Sequence, residues 1–178
     1  MSTVDISPLN ESRVDGVVSF FERIPEGDRT FFKERVQGEP TVRSWLDDDS
    51  GIRLLALDGD HVVGYSAIIP GVGWSSHVGE LRLVIAPSHR RQGLGQRLAT
   101  AALAAALDRS LSKIVVEAIA TQEPTIALFM KLGFVPEALF EDHVRHADGE
   151  LEDLIVLAHH SAQTWATLAT VGLDAPLD

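Results

Sequence analysis

The sequence predicts an α/β fold built on a mixed sheet, and two features carry that prediction. From Glu80 to Ala120 an apolar strand (Leu81, Leu83, Val84, Ile85) passes through a glycine-containing loop into a helix, then out to a β-branched strand at 114–120. A strand–helix–strand unit of this kind lays its two strands parallel. Elsewhere, apolar runs flank the steps Asp58-Gly59 and Asp148-Gly149, which mark antiparallel hairpins.

Taken in order, the short apolar run at 4–6 opens the sheet. Ser12 is placed to cap a helix from Arg13 onward, with Val14, Val17, Val18 and Phe21 on one face. Pro25-Glu26-Gly27-Asp28 is turn chemistry, and a short helix follows at 41–46. Phe31, Phe32 and Trp45 have two readings at this point, core packing or the lining of a substrate groove. Strands are predicted at 53–57 and 61–69, with both faces covered because their apolar residues do not alternate strictly. The helix after the loop carries Leu94, Leu98, Ala101, Ala102 and Ala105 on one side and Leu103 and Leu107 on the other. That pattern predicts a central helix buried on both sides. Pro124 suits the first turn of a later helix and Gly133 its C-terminal cap. Strands at 138–145 and 151–158 complete the sheet, and a tail at 159–178 has Trp165, Leu168 and Val171 at helical spacing.

With 178 residues, 45% apolar and 23% charged, the chain is expected to be one globular domain with a sizeable core. It has no cysteine, which excludes disulfides and thiolate catalysis. The start lacks the basic and apolar blocks of a signal peptide, and no apolar run approaches the roughly 20 residues of a membrane helix. The expectation is a cytoplasmic protein with no membrane partner. A net charge of −11 argues against nucleic acid as a partner. It fits either simple solubility or a cationic acceptor. The histidines show no ligand spacing for a metal.

The stretch around which the chain is organised reads Glu80-Leu81-Arg82-Leu83-Val84-Ile85-Ala86-Pro87, then Ser88-His89-Arg90-Arg91-Gln92-Gly93-Leu94-Gly95-Gln96. From Leu81 to Leu107 there are four arginines and no acidic residue, in a chain with 26 acidic and 15 basic residues. Glycines let backbone come close to a ligand, and helix-start amides are unpaired donors at the positive end of the helix dipole. Together they make an anion site suited to phosphate. Leu98 stands where a dinucleotide fingerprint needs its third glycine, and no Gly-Lys-Ser/Thr follows, so two common phosphate loops are excluded.

Arg90-x-x-Gly93-x-Gly95 after a strand ending Ile85-Ala86-Pro87 resembles the acyl-CoA pyrophosphate loop of the GNAT N-acetyltransferase superfamily. A second block, from Gln122 to Phe134, resembles the family's Asn-x-x-Ala-x-x-Leu-Tyr-x-x-x-Gly-Phe, with Gln122 for the Asn, Thr125 for the Ala and Phe129 for the Tyr. The resemblance covers roughly residues 6–158. The acidic C-terminal region is more faintly similar to bacterial Pat-type protein lysine acetyltransferases.

The resemblance implies a mixed sheet of about seven strands flanked by helices, forming a single acyl-CoA N-acyltransferase domain with a helical tail. It implies acetyl-CoA as co-substrate and an amine acceptor, either a protein lysine or a small molecule; a non-catalytic acyl-CoA-binding module is the rival reading. Leu83, Val84, Ile85, Arg90, Arg91, Gln92, Gly93, Leu94, Gly95, Gln96, Gln122 and Phe129 are then the expected cofactor-binding residues. Glu80 is the expected general base, and needs either a pKa raised by burial or a water relay. With Phe129 in place of Tyr, the family's general acid is missing, and Tyr65, the only tyrosine, is a poor substitute. His143 is read first as a cross-strand partner of Glu152 or Asp153, and second as facing the acyl groove. An oligomer is compatible with the sequence.

Overall fold

The computed structural model of the chain describes residues 4–25, 28, 33, 36–146 and 148–160. Seven strands form one sheet: β1 (Asp5–Pro8), β2 (Ile52–Asp58), β3 (His61–Pro70), β4 (Val78–Ile85), β5 (Lys113–Ile119), β6 (Val135–Arg145) and β7 (Leu151–His160). Four described α-helices flank it: α1 (Val14–Arg23), α2 (Glu39–Asp47), α3 (Leu94–Asp108) and α4 (Glu123–Lys131). The strand order is β1-β2-β3-β4-β5-β7-β6. Only the β4–β5 neighbours are parallel, as the unit through α3 requires, and the other pairs are antiparallel.

The sheet is covered on both faces. Leu81 and Ile85 of β4 join Leu94, Leu98, Ala99, Ala102 and Ala106 of α3 and Phe129 of α4 in one core. On the opposite face Val14, Val17, Phe20 and Phe21 of α1 and Val42 and Trp45 of α2 pack on Leu55, Leu57, Tyr65 and Ala67. Trp45 is thus a core residue, in edge contact with Phe21 at 6.0 Å between centroids. Phe31, Phe32 and the tail from 161 onward lie outside the described residues.

Several local expectations change. Asn10, not Ser12, makes the first cap: its side chain accepts from the Ser12 amide and starts a short 3-10 turn at Glu11–Arg13, before α1. Ser12 instead donates its hydroxyl to Asn10 Oδ1 at 2.7 Å. Helix α3 is not buried on both sides, since Arg97, Ala104 and Asp108 are exposed. Alanine fills both inner and outer stripes there, so apolar periodicity loses its power to discriminate. Strand β7 continues through His159 and His160, opposite Ile114 and Lys113 of β5, where the tail was expected to begin. His159 is buried against Phe134, at 5.1 Å between ring centroids.

Candidate active site

Strands β4 and β5 pair only over Val78–Glu80 and Lys113–Val115. Both continue for four or more residues beyond that point without pairing, because β4 remains bonded to β3 as far as Ile85 while β5 stays with β7 as far as Ile119. The gap opens a cleft of about 1110 Å³, lined by β4 from Glu80 to Ile85, by β5 from Val116 to Ile119, and by the starts of α3 and α4. Helix α3 points its N-terminus into the mouth. No side chain caps that end, and the first helical amides have no partner within the helix.

The glycines at this mouth are informative. Gly93 sits at the N-cap with φ +78°, a left-handed conformation, and a Cβ there would meet nothing within 4 Å. Its need is conformational. Gly95 has no such φ, and its Cβ would find only ordinary contacts, the nearest being Leu128 at 3.4 Å. Protein packing therefore demands no glycine at 95, whereas a ligand lying against the helix start would.

The arginines divide. Arg90 donates Nε to the Ile85 carbonyl at 2.9 Å and Nη2 to Asp28 at 2.7 Å, so it braces the loop to the end of β4. Arg97 donates to the Val4 carbonyl at 2.7 Å, and Arg82 turns to Glu80. Arg91, at φ 59°, lines the cleft, and among the described residues no hydrogen bond or ion pair holds it. Of the other expected binding residues, Leu83, Val84, Ile85, Gln96, Gln122 and Phe129 also line the cleft. Two of the expected residues have side chains engaged within the protein. Gln92 turns back to donate to the Ser88 carbonyl at 3.0 Å, and Leu94 is buried in the core, so that Leu94 can offer a ligand only its backbone. Phe129 is 2% exposed and meets Phe134 edge-on at 5.2 Å, so the ring that replaces tyrosine is held by core packing. Tyr65 packs in the opposite core against Phe21 and Trp45 and does not line the cleft.

At the foot of the cleft, where pairing stops, four charges meet. Lys33 Nζ lies 3.1 Å from Glu80 and 2.8 Å from Glu117. Arg82 donates to both oxygens of Glu80, at 3.1 and 3.3 Å. Burial pushes the Glu80 carboxyl up, but the Arg82 guanidinium and the Lys33 ammonium together outweigh it and hold the pKa below the ordinary value. Of the two routes open to Glu80, a burial-raised pKa or a water relay, the first is reversed in direction. For Lys33, burial lowers the pKa, yet the Glu117 and Glu80 carboxylates win and raise it. Lys33 is the residue that sequence reasoning missed. Its only sequence signal is scarcity, since the chain has just three lysines, Lys33, Lys113 and Lys131.

The far wall comes from the β6–β7 hairpin. Between Phe140 and Val144 its register slips, with Asp142 at φ 51°, and the bulge sets His143 into the cleft lining. His143 stacks on Phe140 at 5.1 Å. The partner of Glu152 is His146, so His143 takes its second reading and lines the cleft. Among the described residues no group of three histidine or carboxylate side chains could hold a metal ion, and no helix is long and apolar enough to cross a membrane.

The family model for acetyltransferases of the GNAT family matches residues 19–134, more than half of the chain. The chain belongs to the GNAT acetyltransferase family. Solved structures share its fold at low identity. A GNAT-family acetyltransferase from Streptococcus pneumoniae is 19% identical, with a TM-score of 0.74 over 89% of this chain and 99% of its own. A ribosomal-protein-alanine N-acetyltransferase from Brucella melitensis is 20% identical, with a TM-score of 0.76 over 88% of this chain and 99% of its own. A putative acetyltransferase from Salmonella typhimurium, solved with its cofactor acetyl-CoA, is 15% identical, with a TM-score of 0.77 over 88% and 93%. No curated protein sequence matches this GNAT chain closely enough to count as a relative. Acetyl-CoA is the co-substrate of the family, and the uncapped α3 start beside Gly93, Gly95 and Arg91 fits a pyrophosphate.

Proposed function

We propose that this chain is an acetyl-CoA-dependent N-acetyltransferase that moves the acetyl group directly to a primary amine. The observation that carries the reading is the cleft between β4 and β5, with anion donors at its mouth and two carboxylates at its foot. The loop and the start of α3 take the pyrophosphate, and the pantetheine arm runs down the gap. Backbone amides of β4 near Val84 and Ile85, whose strand has no partner on the β5 side, polarise the thioester carbonyl.

An amine of pKa near 10.4 is unprotonated in only about one molecule in 2500 at pH 7, a deficit of about 4.6 kcal/mol. Glu80 is held ionised, and a carboxylate of depressed pKa is a weak direct base. Its part is to hold the incoming ammonium beside Glu117 and to pass the proton on through water. The amine nitrogen then attacks the carbonyl carbon, the carbon–sulfur bond breaks, and CoA leaves as thiolate without a tyrosine. A protein lysine is the acceptor we place first and a small amine second. The acidic rim and the faint Pat-type resemblance of the hairpin support that order, and the resemblance rests on sequence alone.

The test is CoA release against a panel of small amines and lysine peptides, with calorimetry of acetyl-CoA binding alongside. Turnover with at least one amine is expected. Arg91→Ala should weaken acetyl-CoA binding by about 1.5–3 kcal/mol, the scale of a hydrogen bond to a charged group. Binding without turnover of any amine would leave the non-catalytic module as the reading.

A further inference from the structure

We propose that Lys33 is an acetylation site of this chain, modified in cis by the chain's own cleft; the inference rests on the N-acetyltransferase reading above. Its basis is position. On that reading the reaction needs a primary amine at the foot of the β4–β5 gap, held by groups that can pass its proton on through water. Lys33 supplies such an amine from within the molecule. It lines the cleft, its side chain is 45% exposed, and its nitrogen sits within 3.1 Å of Glu80 and 2.8 Å of Glu117, on the two strands that separate there.

The other two lysines are placed differently. Lys113 is bonded to Glu137 at 2.6 Å and does not line the cleft. Lys131 lines it from the end of α4, and among the described residues no carboxylate pairs with its ammonium. Only Lys33 combines access to the cleft with carboxylates in direct contact.

The step balances with acetyl-CoA alone. The Lys33 ammonium, held by the two carboxylates, gives one proton through water to solvent. The freed nitrogen forms a bond to the thioester carbonyl carbon and the carbon–sulfur bond breaks. The second nitrogen proton ends on the departing thiolate. The products are neutral acetyl-lysine and CoA. The ammonium that bridges Glu80 and Glu117 is thereby neutralised, and both carboxylates become available to the ammonium of an external acceptor. Unmodified Lys33 competes for that same seat.

The experiment incubates the purified full-length chain with acetyl-CoA and follows acetylation of each lysine by peptide mass spectrometry. A sample unfolded in denaturant serves as the reference for purely chemical acetylation. Lys33 should be modified well ahead of Lys113 and Lys131 in the folded chain and show no such lead in the unfolded one. Its first-order rate should not change when the protein is diluted tenfold, and Glu80→Gln should slow it. In Lys33→Arg, which keeps the positive charge, the early acetylation should vanish. The inference is overturned if Lys33 gains no lead over Lys113, or if its rate falls in proportion to protein concentration. If external amines are acetylated while Lys33 stays unmodified, it fails and the N-acetyltransferase reading stands; if neither reacts, both fall.

Discussion

At the residue scale the cleft turns on the charge balance around Glu80. Sequence position alone marks this glutamate, but it cannot show that Arg82, two residues on along the strand, folds back to hold it, or that Lys33 arrives from about fifty residues away. Their combined effect outweighs burial and lowers the Glu80 pKa. A group with a depressed folded pKa adds stability that is present above its unfolded value and lost as pH falls through the folded one. Glu80→Gln should therefore melt below the parent at neutral pH, with the gap closing once the pH drops below the ordinary carboxylate range. Thermal unfolding of both proteins across that range measures it, and a gap that stays constant would mean that the ion pairs do not stabilise the fold. In turnover, loss of a group that manages the proton typically costs 10²- to 10⁴-fold, while acetyl-CoA affinity should hold, because Glu80 lies at the foot of the cleft and the proposed phosphate seat at its mouth.

At the element scale much was legible. The β4–loop–α3–β5 unit could be read because each part has a strong local signal: an apolar strand, a proline, two glycines, a ten-residue apolar stretch, a β-branched strand. Both Asp-Gly hairpins were legible for the same reason, and Gly59 does take a positive φ of 59°. What escaped is set by non-local pairing. The bulge that brings His143 into the cleft is a register slip of β6 against β7, and no residue between Phe140 and Val144 announces it. The Gln92 side chain bonds a carbonyl four positions back, a local contact that the sequence does not announce. The glycine pair allows a test at this scale. Gly93→Ala forces a left-handed φ on a Cβ and should cost about 1–2 kcal/mol of stability. Gly95→Ala meets no protein atom closer than 3.4 Å and should leave stability nearly unchanged. If acetyl-CoA lies against the start of α3, Gly95→Ala should instead raise its dissociation constant, and calorimetry paired with thermal melts separates the two losses. Equal melting temperatures together with equal affinities would show that the helix start is not the phosphate seat.

At the scale of the whole molecule, charge is sorted in space. The net charge is −11, yet Arg82, Arg90, Arg91 and Arg97 are gathered on β4, the loop and α3. On the opposite wall the β6–β7 hairpin carries seven acidic residues, of which Glu137, Glu141, Asp142, Asp148 and Glu150 are exposed, while Glu152 is engaged by His146 and Thr121. An anionic cosubstrate and a cationic acceptor would thus meet opposite local potentials on approaching one cleft. Long-range attraction of this kind acts on encounter and is screened by salt, over a Debye length of about 10 Å at 0.1 M and about 3 Å at 1 M. For a lysine-rich peptide, kcat/KM should therefore fall steeply as ionic strength rises, through KM rather than kcat, because the screened attraction acts on encounter and not on the chemical step. A small monoamine, with one charge to steer, should change far less over the same range. The comparison is a steady-state series for both acceptors in increasing sodium chloride. A peptide preference that survives unchanged at about 1 M salt would show that the acceptor is chosen by contacts within the groove and that the acidic surface serves solubility alone.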